Sequence, residues 1–571
     1  MDTSPSTLRW QLPPLPDRTL KALTGPDAPF AHHEEDVNGR RGQVFTHRFR
    51  SLPDLLRTRA TSHADHPYLI DGEQVVTYAQ AWRAVGARAA ALARRGVRTG
   101  DRVALLGANQ SEYLLHLWAV LRLGAVAVGL NGWWTGSELM QGIELSQPRL
   151  LLGDARRIAR LPPAARAAAP VELFDEFGAR ADREADRTPA RPGPDDGETV
   201  AEDAAALLLF TSGTTGRAKG ALLSHRNIVH AAQANAMSGT LGAVDGAGRN
   251  PADGAGSTMT ALVSSPLFHV SGLMMALASA PFAGGALVMP RPGRWDPETH
   301  LDLMAEHEVT VWNGVPAQFW RLLDTPGFDA ARLPAVAVLG TGGANLPPRL
   351  TFLLGQRFPR VRLGNGFGMT ETFGSGTTIT GEELRAHPSS VGAPVPLAEL
   401  QVRDESGAPV PDGTVGEVWL RSGSVFLGYW QDPRATARVL DAEGWYRTGD
   451  FGRAEGGRLY LESRRQDLIV RAGENIYPVE VENRLVEHPS VADVAVVGVP
   501  HEVLGQEVKA CIVLRPGAGW ESEGVRAWVG EALAAFKVPA HVEFRDSLPY
   551  SATGKVVKRL LEDQGDAGSR G

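Results

Sequence analysis

Strand and helix patterns alternate along most of this chain, and that alternation limits the fold more than any other feature. "TYAQAWRAVGARAAALARRG" (77–96) has the spacing of an amphipathic helix that stops at Gly96. "DRVALLGAN" (101–109) reads as a strand, an apolar helix follows, and "AVAVGLN" (125–131) is a second strand. "EHEVTVWNGVP" (306–316) and "AVAVLGTGGANL" (335–346) repeat the passage from strand into loop. Strands joined through helices run parallel, with the helices covering the sheet. The stretch 113–130 approaches the length of a membrane span, but His116, Arg122 and Gly124 interrupt it. It is expected as a buried helix running into a buried strand.

A chain of 571 residues is too long for one core, so three or more packed units are expected. After about residue 400 the texture becomes that of a small β-rich unit, with short strands and turn dipeptides in "LQVRDESGAPVPDGTVGEVWLRSG". Beyond residue 465 a compact α+β pattern begins. The segments 161–203 and 238–257 are rich in loop formers and read as loose. The expected class is therefore α/β: a large N-terminal part of several α/β subdomains plus a small β-rich subdomain, then an α+β C-terminal domain. The boundaries are an N-terminal extension over 1–49, the main part over 50–465, and the C-terminal domain over 466–571.

The charge balance of 58 basic against 65 acidic residues argues against a nucleic-acid partner. One cysteine, Cys511, excludes an internal disulfide framework and fits a reducing compartment. With Asp2 early and no apolar segment at the N-terminus, a cytoplasmic protein without a membrane segment is expected.

The chemistry starts at "LLLFTSGTTGRAKGALLSHRN" (207–227). An apolar run enters a cluster of Gly, Ser and Thr with one lysine, the composition of an anion cradle. Glycines let backbone N–H groups face an oxyanion, hydroxyls add donors, and Lys219 adds charge. The spacing is not that of the G-x-x-x-x-G-K-[ST] nucleotide loop. Four further segments follow in order: "GNGFGMTET" (364–372), "GWYRTGD" (444–450), "SRRQDLIVRAGENIYPVEVE" (463–482) and "SATGKVVKRLL" (551–561).

With these five segments, from about residue 50 to 561, the chain resembles the adenylate-forming superfamily of acyl-CoA synthetases, peptide-synthetase adenylation domains and beetle luciferases. The resemblance implies that a carboxylate attacks the α-phosphate of ATP, releasing pyrophosphate and leaving an acyl-adenylate. Two anions must meet, and unit like charges about 4 Å apart repel by about 4 kcal/mol at an effective dielectric near 20. The site therefore needs cations and donors aimed at the reacting phosphorus.

By resemblance, Thr211, Ser212, Gly213, Thr214, Thr215, Gly216 and Lys219 would hold the β- and γ-phosphates. Thr370 would touch the α-phosphate, and Glu371 would hold Mg²⁺. Phe367 would lie on the adenine, flanked by Asn365, Gly366, Gly368 and Met369, with Gly343 and Ala344 behind it. Asp450 and Arg464 would hold the ribose side, and Lys555 would bridge carboxylate and α-phosphate. In a second step the C-terminal domain would swing about a hinge at Gln466, where the family usually has Asp or Lys. Lys555 would leave, and Gly473, Glu474 and Asn475 would enter to build the thiol channel for CoA.

In "PLFHVSG" (266–272), His269 stands where α-amino-acid-activating relatives carry an aspartate for the ammonium. An imidazole cannot pair an ammonium, which disfavours an amino acid substrate. The likeness to fatty-acyl and related ligases implies a fatty or other apolar acid, with ATP, Mg²⁺ and CoA as cofactor and co-substrates. The acyl pocket is expected to draw on Trp312, Asn313, Gly314, Val315, Gly340 and residues 373–378, with Trp312 cutting the tunnel short. The residues leave the acceptor open between CoA, a carrier-protein thiol, an amine and the oxygen of a luciferase-like reaction. An oligomer is compatible with them.

Overall fold

The computed structural model describes the chain except residues 1–6, 13–14, 38–39, 188–199, 212–217, 244–258, 292, 294, 345, 465–466, 472–473, 552–554 and 563–571. The alternation read from the sequence builds two sheets. A nine-stranded sheet has the order Ala393–Pro394, Thr377–Thr380, Arg362–Phe367, Val338–Gly342, Val311–Gly314, Thr260–Leu262, Ala286–Met289, Pro67–Asp71 and Gln74–Thr77. Its interior is parallel, and antiparallel strands close both edges. A seven-stranded sheet sets Lys219–Ser224 and Ala205–Thr211 beside the parallel strands Val126–Gly129, Arg102–Leu106, Leu150–Gly153 and Val171–Leu173.

Local signals account for the elements. The helix Tyr78–Arg94 begins at a capping box between Thr77 and Gln80, and Gly96 follows its end at φ 81°. The apolar stretch forms the helix Ser111–Arg122, turns at Gly124 with φ 66°, and continues as the strand Val126–Gly129. Ten of that helix's residues are buried, which is how an all-round apolar helix is accommodated in a packed core. Trp118 on it donates to the Tyr68 hydroxyl at 2.7 Å, and Tyr68 donates to the Ala276 carbonyl at 3.2 Å. This relay anchors the turn that carries His269 and Met274. No helix among the described residues is long and apolar enough to cross a membrane.

The small β-rich unit is a five-stranded sheet whose first strand, Thr7–Arg9, comes from the N-terminus and pairs with Glu399–Arg403. The hairpin His32–Val37/Arg40–Phe45 also joins the body. Phe30 and Phe45 are buried with Met237 and Leu397, and the Arg48 side chain, 5% exposed, bridges Glu35 and Glu202. The C-terminal sheet runs Glu474–Ile476, Ile469–Arg471, Gly505–Leu514, Val491–His501, with His541–Phe544 parallel to Gly505–Leu514. The helices Pro478–Val486 and Ser522–Gly530 share its core through Val481, Leu485, Val525 and Val529.

Residues 161–203, expected as loose, hold the helix Pro163–Ala168, the strand Val171–Leu173 and the helix Phe174–Arg187. Phe174 and Phe177, each 1% exposed, dock that helix on Tyr113 and His116. Two aromatics outweighed a charge-rich composition. Likewise the helix His225–Ala243 covers the start of the second loose segment, and residues 244–257 lie outside the described chain.

Candidate active site

The parallel strands Val311–Gly314, Val338–Gly342 and Arg362–Phe367 run in register, with Gly314 opposite Thr341, Thr341 opposite Asn365 and Gly342 opposite Gly366. Their carboxyl ends open into a cleft, where parallel α/β sheets place ligands. Asn365 is buried, and its Oδ1 accepts from Thr341 Oγ1 at 3.0 Å and from the Gly366 amide at 3.1 Å, locking the two strand ends together. Gly343, at φ 77°, and Ala344 are exposed at the rim.

After the strand, a Cβ on Gly368 would meet the Gly374 carbonyl oxygen at 2.2 Å, so the chain folds back on itself only with glycine there. The fold-back buries Thr370 and Glu371 in the turn Thr370–Thr372. Phe367, 8% exposed, packs against Leu400, Val402 and Leu420, and Met369 lies half-buried beside it.

Glu371 has a fixed orientation. The Tyr429 hydroxyl donates to Glu371 Oε1 at 2.8 Å, and the Phe426 amide donates to the Glu371 carbonyl at 2.8 Å. Tyr446 hydrogen-bonds Tyr429, and burial first, then the charge on Glu371, holds both phenols far above their ordinary range. They are neutral donors. The Lys219 Nζ stands 4.9 Å from the Tyr429 ring centroid, so one ring touches the phosphate-loop lysine with its face and the carboxylate with its hydroxyl. Thr211 ends the strand opposite Lys219. Ser212, Gly213, Thr214, Thr215 and Gly216, between them, lie outside the described residues. Asp450, buried, sits close enough to Tyr446 for its charge to act there, and its strand pairs with that of Arg464 at these two positions.

Among the described residues no three acidic, His or Cys side chains gather as a metal cage. A single oriented carboxylate next to a phosphate-type loop is nonetheless the donor set that suits Mg²⁺ arriving with phosphates, since that ion keeps most of its shell for water and substrate oxygen.

His269 is half-buried and caps the short helix Val270–Leu273. Its Nδ1 accepts the Ser271 amide at 3.2 Å and lies 2.9 Å from Ser271 Oγ. Burial, then the charge on Lys555, pulls its pKa down to about 4. At neutral pH the ring is uncharged, and an accepting Nδ1 assigns the proton to Nε2.

Lys555 comes from the C-terminal domain and reaches this cleft. Its Cε is 3.8 Å from where a Cβ on Gly343 would stand. The loop that presents it is closed by the Ser551 amide on the Lys555 carbonyl at 2.7 Å and by the Val557 amide on the Pro549 carbonyl at 2.7 Å. Its base is held by Tyr550, donating to Asp493 Oδ2 at 2.6 Å, and by Lys558, donating to Glu482 Oε1 at 2.7 Å. Glu474 and Asn475 lie on the edge strand of the C-terminal sheet instead. Gly473 and the hinge position Gln466 are outside the described residues, as are the side chains of Arg464 and Asn475.

The expected tunnel stop fails. Trp312 is 0% exposed, packs on Phe319 with ring centroids 4.6 Å apart, and donates from Nε1 to Ser264 Oγ at 2.9 Å. Alternation along the strand turns Trp312 into the core behind the sheet and leaves Asn313 exposed on the cleft side. Gly340 makes room for that asparagine, whose Oδ1 lies 2.1 Å from where a Cβ would be.

Residues 56–430 match the family model of the AMP-binding enzyme, and residues 480–555 match the AMP-binding enzyme C-terminal domain. The chain belongs to the AMP-binding enzyme family. It is 33% identical over 503 residues to feruloyl-CoA synthase of an Amycolatopsis species, covering 88% of this chain and 96% of that one. Indoleacetate–CoA ligase of Aromatoleum aromaticum is 33% identical over 497 residues, covering 85% and 92%. The structure of o-succinylbenzoate CoA synthetase from Bacillus subtilis, in complex with its acyl-adenylate intermediate, superposes with a TM-score of 0.75 at 28% identity, covering 89% and 98%. These relatives are acid–CoA ligases, and with the family match they make AMP-forming acid–CoA ligation the general chemistry of this chain, ATP and CoA being the substrates of such ligases.

Residue-by-residue reading of the motifs missed Tyr429, although "GYW" (428–430) was visible, and passed over Tyr446 inside "GWYRTGD". Neither carries a charge or a ligating atom that marks it in isolation. Only the assembled fold, in which they come from two different sheets, brings both to Glu371.

Proposed function

We propose that this AMP-binding enzyme joins a carboxylic acid with an apolar body to CoA, through an acyl-adenylate made from ATP. The observation that carries the reading is Lys555, a cation from the C-terminal domain that stands beside Gly343 and His269 in the cleft of the N-terminal part. A lysine there offsets the repulsion between carboxylate and α-phosphate as they meet. Supplying a thousandfold in rate asks about 4 kcal/mol of it. Lys219, Thr211 and the loop 212–216 hold the leaving pyrophosphate, and Thr370 orients the α-phosphate. Glu371 holds Mg²⁺, which neutralises phosphate charge when bound. Asp450 and Arg464 take the ribose, and Phe367 with Gly343 and Ala344 borders the adenine.

Neutral His269 offers an Nε2–H donor and no charge. A donor of that kind suits a carboxylate oxygen and offers nothing to an ammonium, which supports an acid without an α-amino group. For transfer, the C-terminal domain rotates about Gln466 and carries Lys555 out while the loop containing residues 472–478 enters.

Mass spectrometry of reactions with ATP, Mg²⁺ and a panel of fatty, aryl and alicyclic acids, with and without CoA, tests this. AMP and acyl-CoA formed together, with saturable dependence on CoA, is the expected result. Adenylate that accumulates whether or not CoA is present assigns the acyl group to a carrier thiol or another acceptor and refutes CoA as the partner.

A further inference from the structure

Gly374 is exposed although Phe373 and Ser375 on either side are buried, so solvent-accessible space lies over it. A Cβ built there would meet Met274 Cε at 3.4 Å and Val270 Cγ2 at 3.6 Å. The space is therefore walled by the turn that follows His269, and it lies three residues from Glu371 along the chain. An acid whose carboxylate lay at His269 and Lys555 would find this space open to its body.

Met274 is half-buried and opens a π-helical turn, Met274–Ser279, an irregularity that re-aims side chains and recurs at functional sites. Behind it stands Asn235, on the helix His225–Ala243, donating from Nδ2 to Met274 Sδ at 3.2 Å. A thioether is a weak acceptor. One turn back on the same helix face, Ala231 and Ala232 are apolar and buried. Asn235 is half-buried, and an amide N–H that meets a thioether gains when an oxygen takes the sulfur's place, because oxygen is the stronger acceptor. Methionine, unbranched and flexible, is the side chain best able to swing aside and let one in.

We propose that Asn235 is a specificity-determining residue at the far end of the acyl pocket, donating through its amide to a hydroxyl or carbonyl oxygen remote from the substrate's carboxylate. The acid this enzyme prefers then has an apolar body ending in one oxygen and is not a plain hydrocarbon chain. The inference rests on the reading of the chain as an acid-activating enzyme. A pocket built to hydrogen-bond a substrate oxygen rejects the analogue lacking it far more strongly than a hydrophobic pocket rejects an added methylene.

The test is the ratio of kcat/KM, by pyrophosphate release, within pairs of acids differing in one distal oxygen: phenylpropanoate and its para-hydroxy derivative, hexanoate and its terminal hydroxy derivative. The ratio cancels any general loss of active enzyme. The native protein is expected to favour the oxygen-bearing member at least tenfold in one pair. Asn235→Leu should bring that ratio to one or below, and Met274→Ala, which removes the competing sulfur, should raise it. Preference for the oxygen-free acids, or a ratio that neither substitution moves, overturns the inference while leaving acid activation standing. No pyrophosphate from any acid overturns the functional reading, and the inference falls with it.

Discussion

Lys219 and Glu371 meet on a single aromatic ring, and Tyr429 supplies it: the face to the ammonium, the hydroxyl to the carboxylate. Tyr429→Phe keeps the face and deletes only the hydroxyl. A hydrogen bond to a charged group contributes about 1.5 kcal/mol or more, so the Mg²⁺ concentration needed for half-maximal ATP binding should rise about tenfold. Calorimetry of ATP binding across a Mg²⁺ series reads this directly, and ATP binding without Mg²⁺ should hardly change. An unaltered Mg²⁺ dependence would mean that the tyrosine does not orient the metal carboxylate. Lys555→Ala separates the two half-reactions: adenylate formation should fall at least a thousandfold, while a supplied acyl-adenylate still passes to CoA. Equal loss in both steps would contradict the role given to Lys555. At this scale the sequence was informative wherever a residue carries charge within a Gly-rich motif. Tyr429 and Asn235 were illegible because each acts through a neighbour distant in sequence, Glu371 in one case and Met274 in the other.

Among elements, the loop that presents Lys555 is set on two anchors, an exposed one of Tyr550 on Asp493 and a part-buried one of Lys558 on Glu482. Lys558 also donates to the Val496 carbonyl at 3.0 Å, tying the loop to the central C-terminal hairpin. Lys558→Met removes both contacts and loosens the loop without touching its tip. Misplacing a reacting group by about 1 Å costs on the order of a hundredfold, so adenylation should slow by about tenfold to a hundredfold. Thiol transfer from a supplied adenylate should persist, since Lys555 is not at the site in that step. Parallel loss of both would reduce the anchor to a contribution to folding. Helices, strands and their parallel order were legible because capping boxes, glycine stops and apolar runs are local signals. The direction of Trp312 was not. Period-two alternation fixes that successive residues face opposite sides of a sheet, and only the packed sheet says which side is the cleft.

At the scale of the whole molecule, His116, His225 and His230 are buried, and burial pulls their pKa values to about 3, about 3 and about 4. Each folded-state value lies below the ordinary 6.5, so between them the unfolded chain binds more protons than the folded one. Their contribution is complete above about pH 6.5 and is lost as pH falls toward the folded values, with a slope of at most about 4 kcal/mol per pH unit if all three take up a proton on unfolding. Melting temperatures recorded from pH 7 to pH 5 should fall steeply, and a flat profile would contradict neutral burial of these rings. The N-terminal residues belong to this scale too. Nothing local in "HHEEDVNGRRGQVF" says that the hairpin will pack on residues near 237 and 397, so its place in the fold was readable only from the assembled structure.

The measurement closest to the central claim follows one oxygen atom. If the acid's carboxylate attacks the α-phosphate, a substrate labelled with heavy oxygen in its carboxyl group leaves one labelled oxygen in AMP when CoA takes the acyl group. Mass spectrometry of the AMP should show that single heavy oxygen, with none in pyrophosphate. Unlabelled AMP, or label recovered in inorganic phosphate, would contradict the adenylate route.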